Sequence, residues 1–401
     1  MNSDERWARL QAAVERVMTV RGVESRSGAE PAIVFRGKLT VEAAQAWERL
    51  SPDFDAASLA LLLRREGGDD LAVGIPSLPV PGRPNAIVNA VLFLLTLLSV
   101  AYAGVLNGAS YLQSTGGPSG TAILTPGSAL LGAAFTASFL GILLAHEFGH
   151  YIAARRHGTP VSLPYFIPFP FSLLGTMGAA IRLLAPPRNR RVLLDIGMAG
   201  PLAGLVVAVP VLIFGLMLSR VEPLPDSLQG FAGLSLEGNS VLYLLAKLIA
   251  KGELLPAPGS YGGVPPVLYW LRYLFLGSPI PLGGRDVMLH PVAWAGWAGL
   301  LITALNLVPA GMFDGGHAIY VLIGRRAAAL LPVVFVGMFL LGFVWSGWWL
   351  WAGLVLLLGR RYAEPFDDIT PLDPRRRAVA ILGLVLFVLL FIPVPFATFG
   401  A

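Results

Sequence analysis

The sequence predicts an α-helical polytopic membrane protein of about seven transmembrane helices, with a small N-terminal soluble α+β domain and a short membrane-associated β segment. Three observations predict it. Hydrophobic residues make up 55% of the 401 positions and charged residues only 13%, and the mean hydropathy is +0.69, which excludes an ordinary soluble chain. The charge is segregated: residues 1–85 hold 12 of the 24 acidic and 11 of the 29 basic residues, leaving 12 and 18 for the other 316. Residues 84–146 then run for 63 positions without Asp, Glu, Lys or Arg, where ~20 apolar residues suffice to cross a ~30 Å hydrocarbon core.

Residues 1–85 read as helix over 4–17, strand over 32–35, and helix after Thr40 and again over 58–65; the polar start shows no signal-peptide pattern. A first span covers 86–107, a Gly/Ser/Pro/Thr-rich loop follows to 127, and a second span ends near Ala154, before Arg155 and Arg156. Further spans are expected at 192–218, 289–309, 327–359 (a tight hairpin broken at Ser346-Gly347) and 378–396. With seven crossings, Arg155, Arg156, Arg182, Arg188, Arg190 and Arg191, then Arg325 and Arg326, then Arg360, Arg361 and Arg375 to Arg377 all fall on one side. By the positive-inside rule that side is the cytoplasm, and it carries the N-terminal domain. The opposite segment, 219–287, is rich in Pro and Gly, and its residues 240–250 suit an interfacial helix.

The net charge of +5 and pI near 9.6 do not indicate nucleic acid, because the surplus Arg residues sit between apolar spans. Cysteine is absent. Disulfide and thiolate chemistry are thereby excluded, and a metal site would have to use His and carboxylate ligands.

Within the second span the chain reads His146-Glu147-Phe148-Gly149-His150. Residues i and i+4 share a helix face, so both imidazoles can reach one Zn²⁺ with Glu147 beside the attacking water as general base. A chain of this composition would produce the pattern by chance about 0.002 times. A bland alternative, two core histidines and an ion-paired Glu147, must absorb the cost of an intramembrane carboxylate. A tetrahedral site with one open position needs a third protein ligand. Asp195 and Asp314 are the contenders. Asp195 has Arg191 four residues earlier, which favours an interfacial salt bridge. Asp314 follows Asn306 and Pro309 and precedes Gly315-Gly316, near the end of a span on the side where His150 lies; the proline would break the helix and the glycines permit close approach.

These residues resemble the site-2 protease family of intramembrane zinc metalloproteases, whose signatures are HExxH in one span and an Asn-x-x-Pro…Asp-Gly segment some three spans' length further on. The resemblance covers roughly residues 128–326. It implies a three-helix catalytic core, one Zn²⁺ on His146, His150 and Asp314, and Glu147 as the catalytic residue. Gly200-Pro201 is similar to the family's Gly-Pro stretch, and Gly204 stands where many relatives have Asn. The expected organisation is a cytoplasmic soluble domain (1–85), a first transmembrane helix and external loop (86–127), a metalloprotease core (128–326, including the β segment 161–184 and the external loop 219–287), and C-terminal transmembrane helices (327–401).

Asn306 either donates to the substrate carbonyl or makes a helix-to-helix amide contact. His317 either supports the metal ligand or faces headgroups; His157 and His290 carry no assignment. Residues 161–182 contain Pro164, Pro168 and Pro170, which forbid a helix and suit extended edges. The stretch 175–181, with Gly175 and Gly178, is expected either to pair as an edge strand with an unwound substrate or to cover the site as a loop.

The expected partners are a transmembrane protein substrate and the lipid bilayer. Rival readings are weaker. Gly117-Pro118-Ser119-Gly120 mimics a rhomboid serine motif in an external loop without a histidine. Presenilin-like proteolysis needs Gly-x-Gly-Asp, and a CAAX-type metalloprotease would have only Glu364 for its third ligand. A zinc-binding transporter or a catalytically silent scaffold remains the alternative; replacing Glu147 separates it from a peptidase. The N-terminal domain is either a packing and solubility unit or a substrate filter.

Overall fold

The computed structural model describes residues 3–26, 32–77, 82, 85–116, 123–227 and 234–399. The N-terminal unit comprises α1 (Ser3–Glu15), β1 (Met18–Arg26), β2 (Ala32–Leu39), α2 (Ala43–Ala56), β3 (Leu59–Glu66) and β4 (Asp69–Pro76). Its strands form an antiparallel sheet in the order β1-β2-β4-β3, closed over a core that includes Val14, Phe35, Leu50, Phe54, Leu61 and Leu63. The helix expected over 58–65 is instead strand β3. Gly67 and Gly68, both at positive φ (58° and 88°), close a two-residue hairpin in which Glu66 faces Asp69, the left-handed turn that matches strand twist. The apolar run Leu59 to Leu63 fits either period, and the turn decides it.

The body begins with α3 (Ala86–Ser114) and α4 (Pro126–Arg156). Asn85 caps α3 by accepting from the Ile87 amide. A Thr125/Ser128 capping box followed by Pro126 starts α4, and Arg155 and Arg156 end it, where the helix dipole favours cations. The tetrapeptide at 117–120 lies outside the described residues.

A two-stranded antiparallel pair, β5 (Tyr165–Pro168) and β6 (Thr176–Ala180), follows α4. Polar side chains of α3 clip this hairpin. Asn89 donates to the Leu163 and Pro164 carbonyls (3.1 and 2.9 Å), Ser99 to Gly175 (2.5 Å) and Asn107 to Leu173 (3.3 Å).

Helix α5 (Arg190–Leu218) is capped by Asn189. The segment expected to be an external loop folds into β7 (Arg220–Pro223), β8 (Leu234–Glu237), α6 (Val241–Lys251), α7 (Pro266–Leu276) and β9 (Arg285–Met288). The interfacial helix expected at 240–250 is α6, but it is packed against α5 with Lys247 fully buried. The rest is α8 (Pro291–Asn306), α9 (Asp314–Ile323), a 3₁₀ turn (Gly324–Leu330), α10 (Leu331–Leu341), α11 (Gly347–Leu358), α12 (Pro374–Leu390) and β10 (Phe396–Phe399). β7 pairs with β9, and β8 with β10.

Among the described residues, four helical runs are long and apolar enough to cross a membrane: 86–114, 126–156, 190–218 and 314–341. The hairpin expected over 327–359 turns at 342–346, but its first arm continues the run from Asp314. The span expected at 289–309 is the 16-residue α8, about 24 Å long at 1.5 Å per residue. It is enclosed by other elements, with Ala293, Ala295, Trp297, Ala298 and Leu300 fully buried. The core around α4, α5 and α8, with Phe139, Leu143, Met198, Leu212 and Trp297, is continuous, and Ala154 near the end of α4 packs with Val192 and Ile196 of α5.

Candidate metal centre and active site

His146 and His150, one turn apart on α4, turn their rings toward each other, and their Nε2 atoms lie 3.2 Å apart. The third group arrives from far along the chain. Helix α8 stops at Asn306, the backbone turns through Pro309, and α9 restarts at Asp314. That turn needs glycine: a Cβ on Gly315 would overlap the Leu307 carbonyl, and one on Gly316 the Gly311 carbonyl. Asp314 Oδ2 consequently stands 3.5 Å from His146 Nε2 and 3.4 Å from His150 Nε2.

The His150 Nδ1 lies 2.7 Å from the Ile196 carbonyl. A carbonyl only accepts, so Nδ1 carries a proton, and in the neutral ring Nε2 presents its lone pair. Donors around a tetrahedral zinc with bonds of 2.0–2.2 Å are about 3.4 Å apart. The observed triangle of 3.2, 3.4 and 3.5 Å has those edges, so these residues fit such an ion. Among the described residues no other His, Asp and Glu cluster of this kind occurs. Gly200 on α5 makes the room, since a Cβ there would overlap His150 Nε2.

Glu147 is buried beside the triangle. The Ile181 backbone lies beside its carboxylate, while Oε2 has no partner. An unpartnered buried carboxylate oxygen is costly, and here it borders a cavity of about 740 Å³. One wall is His146, Glu147, His150 and Asp314; the others are residues 179–187, Asn306, His317 and residues 358 and 361–364.

Asn306 lies inside this cavity with Nδ2 3.3 Å from His146 Nε2, so its amide is aimed at the site. Gly175 does not reach the cavity lining. Its φ of +77° and the contact of its Cα side with Ser99 and Val100 make it the point where the hairpin rests on α3. Gly178, at φ +105°, has open space where a Cβ would stand and also lies just outside the lining. The β-segment residues that do line the cavity begin at Ala179.

His317 does not face headgroups: its Nδ1 is buried without a partner and its ring rests on Gly197. Asp195 is ion-paired as expected, but not with Arg191. Arg376 binds it through two bonds of 2.9 and 2.6 Å and His157 Nε2 lies 2.9 Å away, while Arg191 donates to the Pro371 carbonyl. Bidentate geometry across α5 and α12 outcompetes the i, i+4 neighbour. Glu364 is held by Arg325 (3.2 Å) and Arg64 (3.5 Å).

Sequence reasoning missed the Ile181 backbone and the Ile196 carbonyl, because backbone groups leave no residue signature. The spacing of Gly197, Gly200 and Gly204 on one face of α5 was the available signal for where the histidine rings would be received.

Two histidines, an aspartate and a glutamate with an unpartnered oxygen thus meet among helices long and apolar enough to cross a membrane. The chain belongs to peptidase family M50, whose model matches residues 134–343, the stretch that contains all of these groups. It is 32% identical over 260 residues to the probable zinc metalloprotease EGY1, chloroplastic, of Arabidopsis thaliana, covering 64% of this chain and 42% of the relative. It is 30% identical over 330 residues to the EGY1 of Oryza sativa subsp. japonica, covering 77% and 50%. It is 29% identical over 397 residues to the probable zinc metalloprotease EGY2, chloroplastic, of Arabidopsis thaliana, covering 94% and 63%. The chain thus spans about half the length of the first two relatives. No solved structure matches it.

Proposed function

We propose that this chain is a zinc metalloendopeptidase that hydrolyses peptide bonds within or next to transmembrane segments of membrane proteins. The observation that carries the reading is Glu147 Oε2, buried and unpartnered beside a three-donor triangle on a cavity large enough for an extended peptide. His146, His150 and Asp314 would hold the ion. When bound, zinc supplies Lewis acidity that brings the pKa of water from 15.7 to about 7.

Glu147 removes the proton from the attacking water and returns it to the leaving amine. The Ile181 backbone flanks the carboxylate, and the residue itself lines the cavity. Asn306 is placed to donate to the scissile carbonyl as negative charge develops on it. The hydrogen bond from His150 to Ile196 keeps the ring in the tautomer that the site requires.

The β segment is read as the substrate rail. Among the described residues β6 pairs only with β5, which leaves its other edge for an unwound segment of substrate. Arg182 turns its amide and carbonyl toward Ser162, so the neighbouring Ile181 directs its own groups to the opposite, active-site side. By the same alternation Ala179 presents its groups to this edge, whereas the Gly178 amide and carbonyl are both bonded to the Thr176 hydroxyl; Gly175 serves the rail only by seating it on α3. Inserting Pro at Ala179 should lower cleavage while leaving zinc content unchanged, and full activity would remove the rail from the account.

The finer topology is part of the same proposal: about seven crossings, with α8, α11 and α12 as shorter ones, α4, α5 and α8 as the catalytic core, and the 1–85 unit on the cytoplasmic side with the Arg-rich loops. Clustering of the donors at one place, rather than along a path through several spans, argues against a transporter. The test is cleavage of a transmembrane peptide in detergent. Activity should be abolished by chelation, restored by stoichiometric zinc, and absent from Asp314→Ala together with the metal. A wild type that binds zinc yet cleaves no transmembrane peptide would favour the silent scaffold.

A further inference from the structure

The N-terminal sheet does not end with its own strands. β3 is an edge strand, and a bare edge invites a partner. Residues 366–368 supply it: the Leu63 amide donates to the Phe366 carbonyl (3.0 Å) and the Asp368 amide to the Leu63 carbonyl (3.1 Å). On its other side the same segment is bonded to the approach to α5. The Phe366 amide donates to the Pro187 carbonyl (2.9 Å) and the Asp367 amide to the Arg188 carbonyl (2.8 Å). Both junctions are parallel bridges, Leu63 with Asp367 and Asn189 with Asp367. The result is a backbone ribbon running from the N-terminal sheet into the catalytic body.

Both far strands of that ribbon are continuous with the cavity wall, since residues 179–187 lead directly into 187–189 and residues 361–364 lead into 366–368. Side chains of the N-terminal unit lock the ribbon. Trp47 stacks on Phe366, with centroids 5.7 Å apart and planes 28° apart. Arg64 donates to the Phe366 carbonyl (2.7 Å) and reaches Glu364, itself a lining residue. Glu48 pairs with Arg188 at 2.9 Å, and Ile369 packs against the core of the N-terminal unit. Asp367 is fully buried and accepts from the Ile369 and Thr370 amides (2.9 and 3.0 Å), which fixes the direction in which the segment leaves.

We propose that the N-terminal domain is a positioning element of the active site: by adding residues 366–368 to β3 and clamping them with Trp47 and Arg64, it sets where two walls of the cavity stand. The proposal rests on the peptidase reading of that cavity. A domain present only for solubility would have no reason to grip the segments that line the site. Trp47 and Arg64 themselves lie outside the lining, so they act through residues 361–368 and not on substrate.

The test uses the full chain with Trp47→Ala, Arg64→Ala and the conservative Trp47→Phe. It measures zinc content, kcat and KM for a transmembrane peptide per zinc bound, and hydrogen exchange at the Asp368 amide. We expect zinc to be retained, Asp368 exchange to accelerate, and kcat/KM to fall about tenfold in the Ala variants, since small misplacements of a binding wall are costly; Trp47→Phe should restore most of it. Faster exchange with unchanged kcat and KM would overturn the proposal, as would unchanged exchange, because the clamp would then not hold the segment. Arg64 lies outside the core of the N-terminal unit, so Arg64→Ala keeps the question answerable if Trp47→Ala fails to fold. A wild type without Glu147-dependent cleavage would instead count against the peptidase reading, whatever the clamp variants do.

Discussion

Among the described residues, two buried clusters of charged groups are built on opposite principles. In the segment between α5 and α8, Lys247 is fully buried with Glu237 and Asp286 each 3.2 Å from its Nζ. Tyr243 donates to Glu237 at 2.8 Å, its ring lies under the Lys247 ammonium, and the Val287 amide donates to Asp286. Every charge there has partners. At the end of α4, the ligand atoms of His146, His150 and Asp314 face one another within 3.5 Å, and Glu147 Oε2 has no partner. Burial of charge is common to both. What separates a site that does chemistry from one that fastens a fold is the unsatisfied atom on a residue that lines a cavity.

This contrast predicts different failures. Truncating Lys247 to Met should leave two carboxylates buried without their cation and destabilise the fold by about 3–5 kcal/mol. Thermal unfolding in detergent would show it, while zinc content per folded molecule stays at one; a small change in melting temperature would mean that the cluster is not structural.

Gly200→Ala should do the reverse. The added methyl competes with His150 for its place, so zinc content should drop severalfold with little loss of helix content by circular dichroism. A variant that binds zinc normally would show that α5 can move aside.

The smallest effect is electrostatic. Burial raises the Asp286 carboxyl from 3.8 to about 6, against the pull of Lys247 and with the push of Glu237. The folded state therefore holds this proton more tightly than the unfolded chain does. The cluster's contribution is greatest below pH 3.8, declines as the pH rises toward about 6, and is level above that. Asp373 behaves oppositely: hydrogen bonds from Arg376 lower it from 3.8 to about 2, so its contribution is full above 3.8 and is lost as the pH falls from there through about 2. Asp286→Asn should flatten the first dependence, seen as a difference between wild-type and variant melting temperatures that grows from acid to neutral pH. A constant difference would break the assignment.

The same contrast explains what could be read from the sequence. His146, Glu147 and His150 were legible because helical spacing is local and the surrounding run is uncharged. Asp314, 164 positions beyond His150, was a favourite on position and became a ligand only through the resemblance; its place depends on Gly315 and Gly316 permitting a turn that spacing cannot measure. Strand β3 was misread because a five-residue apolar run has no period of its own, and the Gly67-Gly68 turn outweighed it. The partner of Asp195, the Lys247 cluster and the ribbon through residues 366–368 were illegible for one reason. Each joins residues brought together by packing, across 181, 39 and 302 positions respectively, with no local pattern to mark them.

The most direct measurement compares wild type with Glu147→Gln, reading zinc by atomic spectroscopy and cleavage of a transmembrane peptide on the same samples. Glu147 touches no ligand position in the triangle, so the variant should keep stoichiometric zinc while turnover falls by about 10²–10⁴-fold, the usual worth of a positioned general base. Retained cleavage with retained zinc would contradict the central claim that the unpartnered carboxylate carries the proton.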